Sequence, residues 1–474
     1  MRRLTFIFFT LLLVACATPQ ASADTQVPPT LTVPVTATPV LLPSLTALPA
    51  ALTNTPTVTI NPTVTNVPAT EITPKPESSL SILQLNMLDA DNGWAIVLGE
   101  DSLRWYILRT TDGGLSWHDV TSPQLITLAE GKNWFYGSLA ALDTNTAWII
   151  MDDATTDEGM LFGTVWQTKD GGQSWKPSNQ ITIFNAADPN VYISGYEARL
   201  QFADAKHGWL RARVHGAMGH YADAWFHTSD GGVTWEGLSY YDCFDLTLVC
   251  EYLFVNENTG FRSVENDYGM GSQWLSVGEI ETDSNWQIEK TTDAGHDWIK
   301  TELPLLPDFK KNLFDGQNYS PSQISNFQVT ISKHIEKFAP GMVGIRMDFS
   351  VFPSKHADQP LFVKSYHYLS TNKGLTWHVI PFLGNLFFLD DTLGWGYFEL
   401  NGNLVIEKTS DGGATWQTIS DTLPGNGILQ FEDTSIGWAI IRQPSQYTDD
   451  LITLFHTTDG GQTWTEIKPV IGNH

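Results

Sequence analysis

Cysteine is nearly missing from this 474-residue chain: Cys16, Cys243 and Cys250 are all it has. Basic residues are scarce too, 26 against 52 acidic ones, for a formal charge of -26. A nucleic-acid backbone recruits the opposite balance, which argues against a nucleic-acid partner. Charged residues of both signs make up only 16%, below the quarter usual for soluble domains. A long apolar run is lacking: residues 4–14 form the main one, about 11 residues, too short to span a bilayer. The segment 17–79 has no aromatic residue at all. Finally, HExxH, a P-loop and GxSxG are all absent, so the metalloprotease, P-loop and nucleophile-elbow signatures are not available.

What is present falls into three parts. Arg2 and Arg3 precede the short apolar run and form an export signal. The run ends Leu13, Val14, Ala15, Cys16. This resembles the bacterial lipoprotein signal, which implies cleavage after residue 15 and diacylation of Cys16. Each buried CH₂ of such chains contributes ~0.8 kcal/mol to anchoring. The alternative is an ordinary secretory signal cut near Ala21–Ala23. Residues 16–80 then read as a lipidated Cys followed by a disordered stalk. Over 17–79 there are 12 Pro and 15 Thr, and only Asp24, Glu71, Lys75 and Glu77 are charged. Such composition cannot close a core. At ~3.1 Å per residue the spacer reaches at most on the order of 190 Å.

From residue 81 to 474 a phrase recurs seven times: TTDGGLSW at 110–117, TKDGGQSW at 168–175, TSDGGVTW at 228–235, TTDAGHDW at 291–298, STNKGLTW at 370–377, TSDGGATW at 409–416 and TTDGGQTW at 457–464. Each follows an apolar strand, a turn and Gly-Trp or a relative, as in LQFADAKHGW and LQFEDTSIGW. Four short strands per unit is the anatomy of a propeller blade. The expected fold is all-β: a seven-bladed β-propeller of four-stranded antiparallel blades. Closure is the weak point, because no obvious strand interlocks the first and last blades unless residues before Ser81 supply one. Within each turn Gly permits a left-handed backbone and the acid accepts turn N–H groups. Asp112, Asp170, Asp230, Asp293, Asn372, Asp411 and Asp459 therefore read as structural. Two turns depart from the phrase, with Asn372–Lys373 replacing Asp-Gly and Asp297 replacing Ser or Thr; these are expected to be looser.

The phrase resembles the Asp-box, or bacterial neuraminidase repeat, of sialidases, sortilin-type receptors, some xyloglucan hydrolases and the photosystem II assembly and stability factor family. The upstream turns at 202–209 and 431–438 bring the last family nearest. The resemblance implies the fold more than an activity, because the motif is scaffold. A sialidase would add an arginine triad, a Tyr-Glu pair and an acid, and no such set can be placed here by motif.

Loop lengths point to one face. The one-two and three-four turns are uniform, whereas the two-three turns and blade-to-blade links vary, with long members at 152–160, 215–223, 265–286, 304–325 and 350–360. Loops of this kind on a rigid scaffold carry binding. The candidate contacts are Tyr240, Tyr241, Tyr268, Trp274, Phe314 and Tyr319, with Arg199 and Arg213 as inner polar contacts. Each aromatic has a second reading, as an anchor for its own loop. Cys243 and Cys250 read as a disulfide at another link, with two free thiols as the alternative. No cofactor and no metal is expected. Two functions stand: a surface-tethered, non-catalytic binding or assembly module for an extracytoplasmic protein or glycan, held to the membrane by lipid alone, and an exported glycoside hydrolase. The oligomeric state is not legible.

Overall fold

The computed structural model describes residues 81–98, 105–129, 137–151, 164–179, 181, 192–193, 198–215, 221–243, 251–263, 274–281, 286–306, 308–339, 341–443, 451–467 and 470–472. The signal, Cys16, the stalk, Tyr268, Cys250 and the link at 152–160 lie outside them.

Seven antiparallel sheets follow one another along the chain, so the fold is a seven-bladed β-propeller. Blade 1 runs from its first strand, Ser81–Met87, to its fourth, Ser116–Asp119. Blade 7 runs from Asn426–Phe431 to Thr465–Ile467. The closing strand is one that sequence reasoning missed. Val470–Gly472 lies parallel to Ser116–Asp119, pairing Val470 with Ser116 and Gly472 with His118, as a fifth strand on the outer edge of blade 1. The chain thus closes from its C-terminal end.

Blades hold one another through two repeated devices. The first uses the Gly-Trp pair that opens most second strands. The glycine is required by close approach: a Cβ at Gly208, Gly260, Gly394 or Gly437 would fall 2.4–2.6 Å from a phenylalanine ring on the first strand. The tryptophan reaches the next blade. Trp148, Trp209 and Trp395 stack face to face on Phe202, Phe254 and Phe431 at 3.6, 3.7 and 3.8 Å. Their indole N–H groups donate to backbone carbonyls in the following blade's turn, at Gly231, Ala294 and Gly460. These rings are buried, so each bond satisfies a polar group that otherwise costs free energy. Blade 4 has Phe261 at this position, and Lys290 Nζ donates to the Lys373 carbonyl instead. At the next seam His378 Nε2 approaches the Gly412 carbonyl to 2.8 Å.

The second device is a glutamine on the first strand. Gln84 bonds both the carbonyl and the N–H of Leu139 at 2.9 Å. Gln201 does the same to Phe254, and Gln430 to Met87. A primary amide mimics the backbone of a missing strand, so these side chains tie neighbouring blades near the axis.

Blades 4 and 5 depart from the common plan. Blade 5 has ten-residue first and second strands, Gln328–Lys337 and Val343–Phe352. Leu275–Ser276, from the two-three segment of blade 4, pairs with its first strand as a fifth strand. The link between the two blades folds into short helices, Phe309–Leu313 and Pro321–Ile324. Phe309 and Leu313 are fully buried with Trp286, Phe349 and Tyr368 in one core cluster. Strands run further into two segments read as loops than the repeat implies: His215 and Tyr221–Asp223 are strand, as are Ser350–Phe352, with turns and bends following at 353–360.

Candidate functional site

The repeated turns leave little chemistry to spare. In the first, Thr110 Oγ1 donates to Asp112 Oδ1 at 2.9 Å and accepts from Gly114 N. The other donors to the carboxylate are the Ser116 amide and hydroxyl, at 2.8 and 2.5 Å. Asp170, Asp230, Asp411 and Asp459 repeat the arrangement. Hydrogen bonds led by the Thr415 hydroxyl hold Asp411 down at about 2. At Asp459 partial burial opposes ionisation, and bonds from Thr463 and Thr457 overcome it, again to about 2. The two divergent turns differ from one another. Asn372 keeps the network, accepting from Ser370 and Thr376 N and donating its amide to Thr376 Oγ1 at 2.7 Å. Asp293 keeps the Asp297 N–H bond at 3.0 Å, but Asp297 has no hydroxyl to offer its second oxygen. Ala294 and Lys373 take left-handed φ values of 63° and 59°, a backbone costing L-residues roughly 1–2 kcal/mol.

The turns lie together with the one-two turns. Gly113 N donates to Asp91 O, Gly231 N to Lys206 O and Gly460 N to Ser435 O. Among the described residues, the two-three turns at 353–361 and 401–402 lie at the other ends of their strands, on the side where the sequence placed its candidate contacts. Arg199 is exposed at the start of blade 3's first strand, its carbonyl accepting from Tyr252 Oη at 2.9 Å. Arg213, Tyr240, Tyr241 and Cys243 lie on strands of the same blade, with side chains outside the described set. Trp274 is half-buried, its ring 4.8 Å from Phe352. Phe314 is buried among Phe327 and Phe362, and Tyr319 packs on the same two rings. Both therefore anchor the helical link, which leaves little of Phe314 for a partner.

Two features emerge that the sequence did not indicate. One is a charged row across blade 5. His334, Arg346 and His367 sit directly opposite one another on its first three strands. Arg346 Nε lies 3.2 Å from Asp348, and its Nη1 lies 3.8 Å from Glu336 and 2.6 Å from Asn385 of blade 6. His367 Nδ1 meets Glu336 at 2.8 Å. From the entry to blade 4, Glu251 accepts from Ile335 N at 2.5 Å and approaches His334 Nδ1 to 3.4 Å. Glu251, Glu336 and Asp348 are thus each engaged with a cation, an imidazole or a backbone N–H. This is the pattern of a charge network that joins blades, not of a carboxylate pair held open for a substrate.

The other is a groove of about 560 Å³ at the seam of blades 4 and 5. Leu303, Pro304 and Leu305, leaving blade 4, face Leu375, Thr376 and Trp377 of blade 5's divergent turn. Trp286 is buried beside it, and Glu281 and Glu302 add acidic groups. Glu281 is bridged to Lys310 at 3.0 Å, whereas Glu302 is exposed. Leu375 is 76% exposed, the most of any large apolar side chain described.

The fold and this surface define a seven-bladed β-propeller with blades 4 and 5 elaborated around an apolar, acid-edged groove. No family model matches the chain, and no curated protein matches its sequence. Among solved structures it is similar to YCF48 bound to a D1 peptide, at 15% identity, over 81% of this chain and 94% of that one, with a TM-score of 0.41. It is similar to the GH74 xyloglucanase from Xanthomonas campestris at 10% identity, over 81% of this chain and 52% of that one, with a TM-score of 0.44. A PL25 ulvan lyase is 12% identical over 81% and 95% of the two chains, with a TM-score of 0.44. At these identities neither substrate nor partner transfers.

Proposed function

We propose that this chain is a surface-tethered, non-catalytic binding module that seats a segment of an extracytoplasmic protein in the groove between blades 4 and 5. The single observation carrying this reading is the exposure of Leu375 beside Trp377, in a concave site backed by a well-packed core. Exposed apolar surface in a preformed cleft is where binding energy concentrates, and aromatic residues supply most of it. Glu302 and the overall charge of -26 favour a basic flank on the partner. In this reading lipid on Cys16 holds the chain at the membrane, and the Thr/Pro-rich stalk carries the propeller away from it.

The test is an array of extended peptides carrying apolar and basic residues, probed with the whole protein. Binding is expected to fall at least about tenfold in Leu375→Asp, since a carboxylate placed against Trp377 must be desolvated by any apolar occupant. Leu115→Asp alters the matching exposed position of blade 1 and is expected to bind as the wild type does. Equal binding by both variants, or turnover of a glycan by the purified protein, overturns the reading.

A further inference from the structure

On the face that carries the repeated turns, the seam between blades 3 and 4 gathers two imidazoles and a carboxylate from three chain segments. His227 and Glu236 are direct cross-strand partners on the third and fourth strands of blade 3. Such pairs project from one face of the sheet, close enough to share a ligand. His296 comes from blade 4, in the variable position of the divergent turn TTDAGHDW. One donor atom from each residue lies within 4.8 Å of the other two. We propose that His227, Glu236 and His296 form a binding site for a borderline divalent cation of the Zn²⁺ class, bridging blade 3 to blade 4. This departs from the expectation that the chain holds no metal.

A second observation points the same way. His227 is only 8% exposed, and its Nε2 has no hydrogen-bond partner and no access to solvent. A buried imidazole nitrogen left unsatisfied is costly, and a metal is one partner that removes the cost. The surroundings restrain the ring: Trp209 packs at 5.4 Å, and His207, paired with Asp204 at 2.8 Å, stacks at 6.3 Å.

The donor set selects the ion. Two imidazoles and one carboxylate suit Zn²⁺ and its neighbours better than Ca²⁺ or Mg²⁺, which want oxygen alone. Bonds of ~2.1 Å in tetrahedral geometry bring donor atoms to roughly 3.4 Å apart. The two exposed side chains, Glu236 and His296, close the remaining distance by changing rotamer. Three protein ligands leave a fourth position for water. The fold contains its own control: His456 occupies the place of His227 in blade 7, next to Trp438, with its Nε2 likewise buried and without a hydrogen-bond partner, but the matching companions are Thr465 and Leu115, so only the blade 3–4 seam supplies the other two ligands. One equivalent of metal per chain is therefore expected, not two. Metal here would also reinforce the one turn whose acid, Asp293, lacks a hydroxyl partner from the Ser or Thr position.

The experiment uses the full chain without a histidine tag, stripped with a chelator and titrated with Zn²⁺ and Co²⁺. One equivalent of Zn²⁺ should bind and raise the thermal midpoint, and Co²⁺ should give the visible absorption of a tetrahedral site. His296→Ala removes an exposed ligand, so the metal-free midpoint should hold while Zn²⁺ affinity falls on the order of 100-fold. Glu236→Gln should weaken binding in the same direction. Absence of Zn²⁺ stabilisation and Co²⁺ absorption in the wild type overturns the site, as does uptake unchanged by His296→Ala.

Discussion

The indole Nε1 of Trp438 donates to the carbonyl of Gly113 at 3.0 Å, joining residues 325 positions apart and closing the ring between blade 7 and blade 1. It is the same bond that Trp148, Trp209 and Trp395 make at their own seams. Its place in a buried cluster with Met87, Trp117, Leu454 and Ile467 makes closure a matter of core packing as well as pairing.

Trp438→Phe is expected to destabilise the propeller by about 2 kcal/mol, because it strands a buried carbonyl and leaves space where the second ring was. Phe261 at the equivalent position of blade 4 shows that the smaller ring fits this architecture. Lys290→Met removes the substitute donor at that seam, in an exposed bond, and is expected to cost less than about 1 kcal/mol. Urea unfolding checks both: the midpoint should fall with unchanged slope, further for Trp438→Phe. Equal midpoints for the two variants would refute the ranking.

Acid should unfold the protein through its turns. Asp411 and Asp459 are held down at about 2, against an ordinary 3.8, by donors that bind the ionised form. Asp112, Asp170, Asp230 and Asp293 are lowered as well. A carboxylate with a depressed folded value contributes stability that is fully present above its unfolded value. That contribution is lost as pH falls towards the folded one. Stability should therefore drop from about pH 4 down to about pH 2. Asp411→Asn should fold normally at neutral pH, because Asn372 already makes the equivalent bonds in blade 5. Its urea midpoint should depend less on pH across that acid range than the wild type's, and an identical dependence would remove the turn from the account.

Much of this fold is legible in one dimension, because the repeat is. Seven turn phrases give seven sheets, since each phrase carries the hydroxyl, acid, glycine and tryptophan that its own turn needs. What crosses between blades is harder to see. Gln84, Gln201 and Gln430 recur at one place in LQLNM, LQFAD and LQFED, yet a lone polar residue in an apolar strand says nothing of the partner it meets. Val470–Gly472 is three residues long and finds its register only against Ser116–Asp119. Phe314 and Tyr319 show the limit for sites: whether an aromatic in an insertion turns outward or packs on its own scaffold is decided by tertiary contacts. The groove was hidden for the same reason, being assembled from Leu303–Leu305 and Leu375–Trp377 on different blades.

The charged row of blade 5 gives the opposite pH dependence. His334 is raised above 6.5, chiefly by its hydrogen bond to Glu251, while burial and Arg346 oppose the shift. A group whose folded value is raised stabilises the fold below its unfolded value, and the contribution is lost as pH rises through the folded one. Stability should consequently decline on the alkaline side of 6.5, a direction the turn acids cannot produce because they are fully ionised there. His334→Gln keeps a hydrogen-bond donor towards Glu251 but cannot titrate, so it should flatten that decline. Glu251→Gln removes the carboxylate that raises the imidazole and should flatten it too, even if Ile335 N keeps its acceptor. Urea midpoints measured from slightly acidic to alkaline pH check the pair: wild-type slopes in both variants would show that the Glu251–His334 contact does not couple folding to protonation.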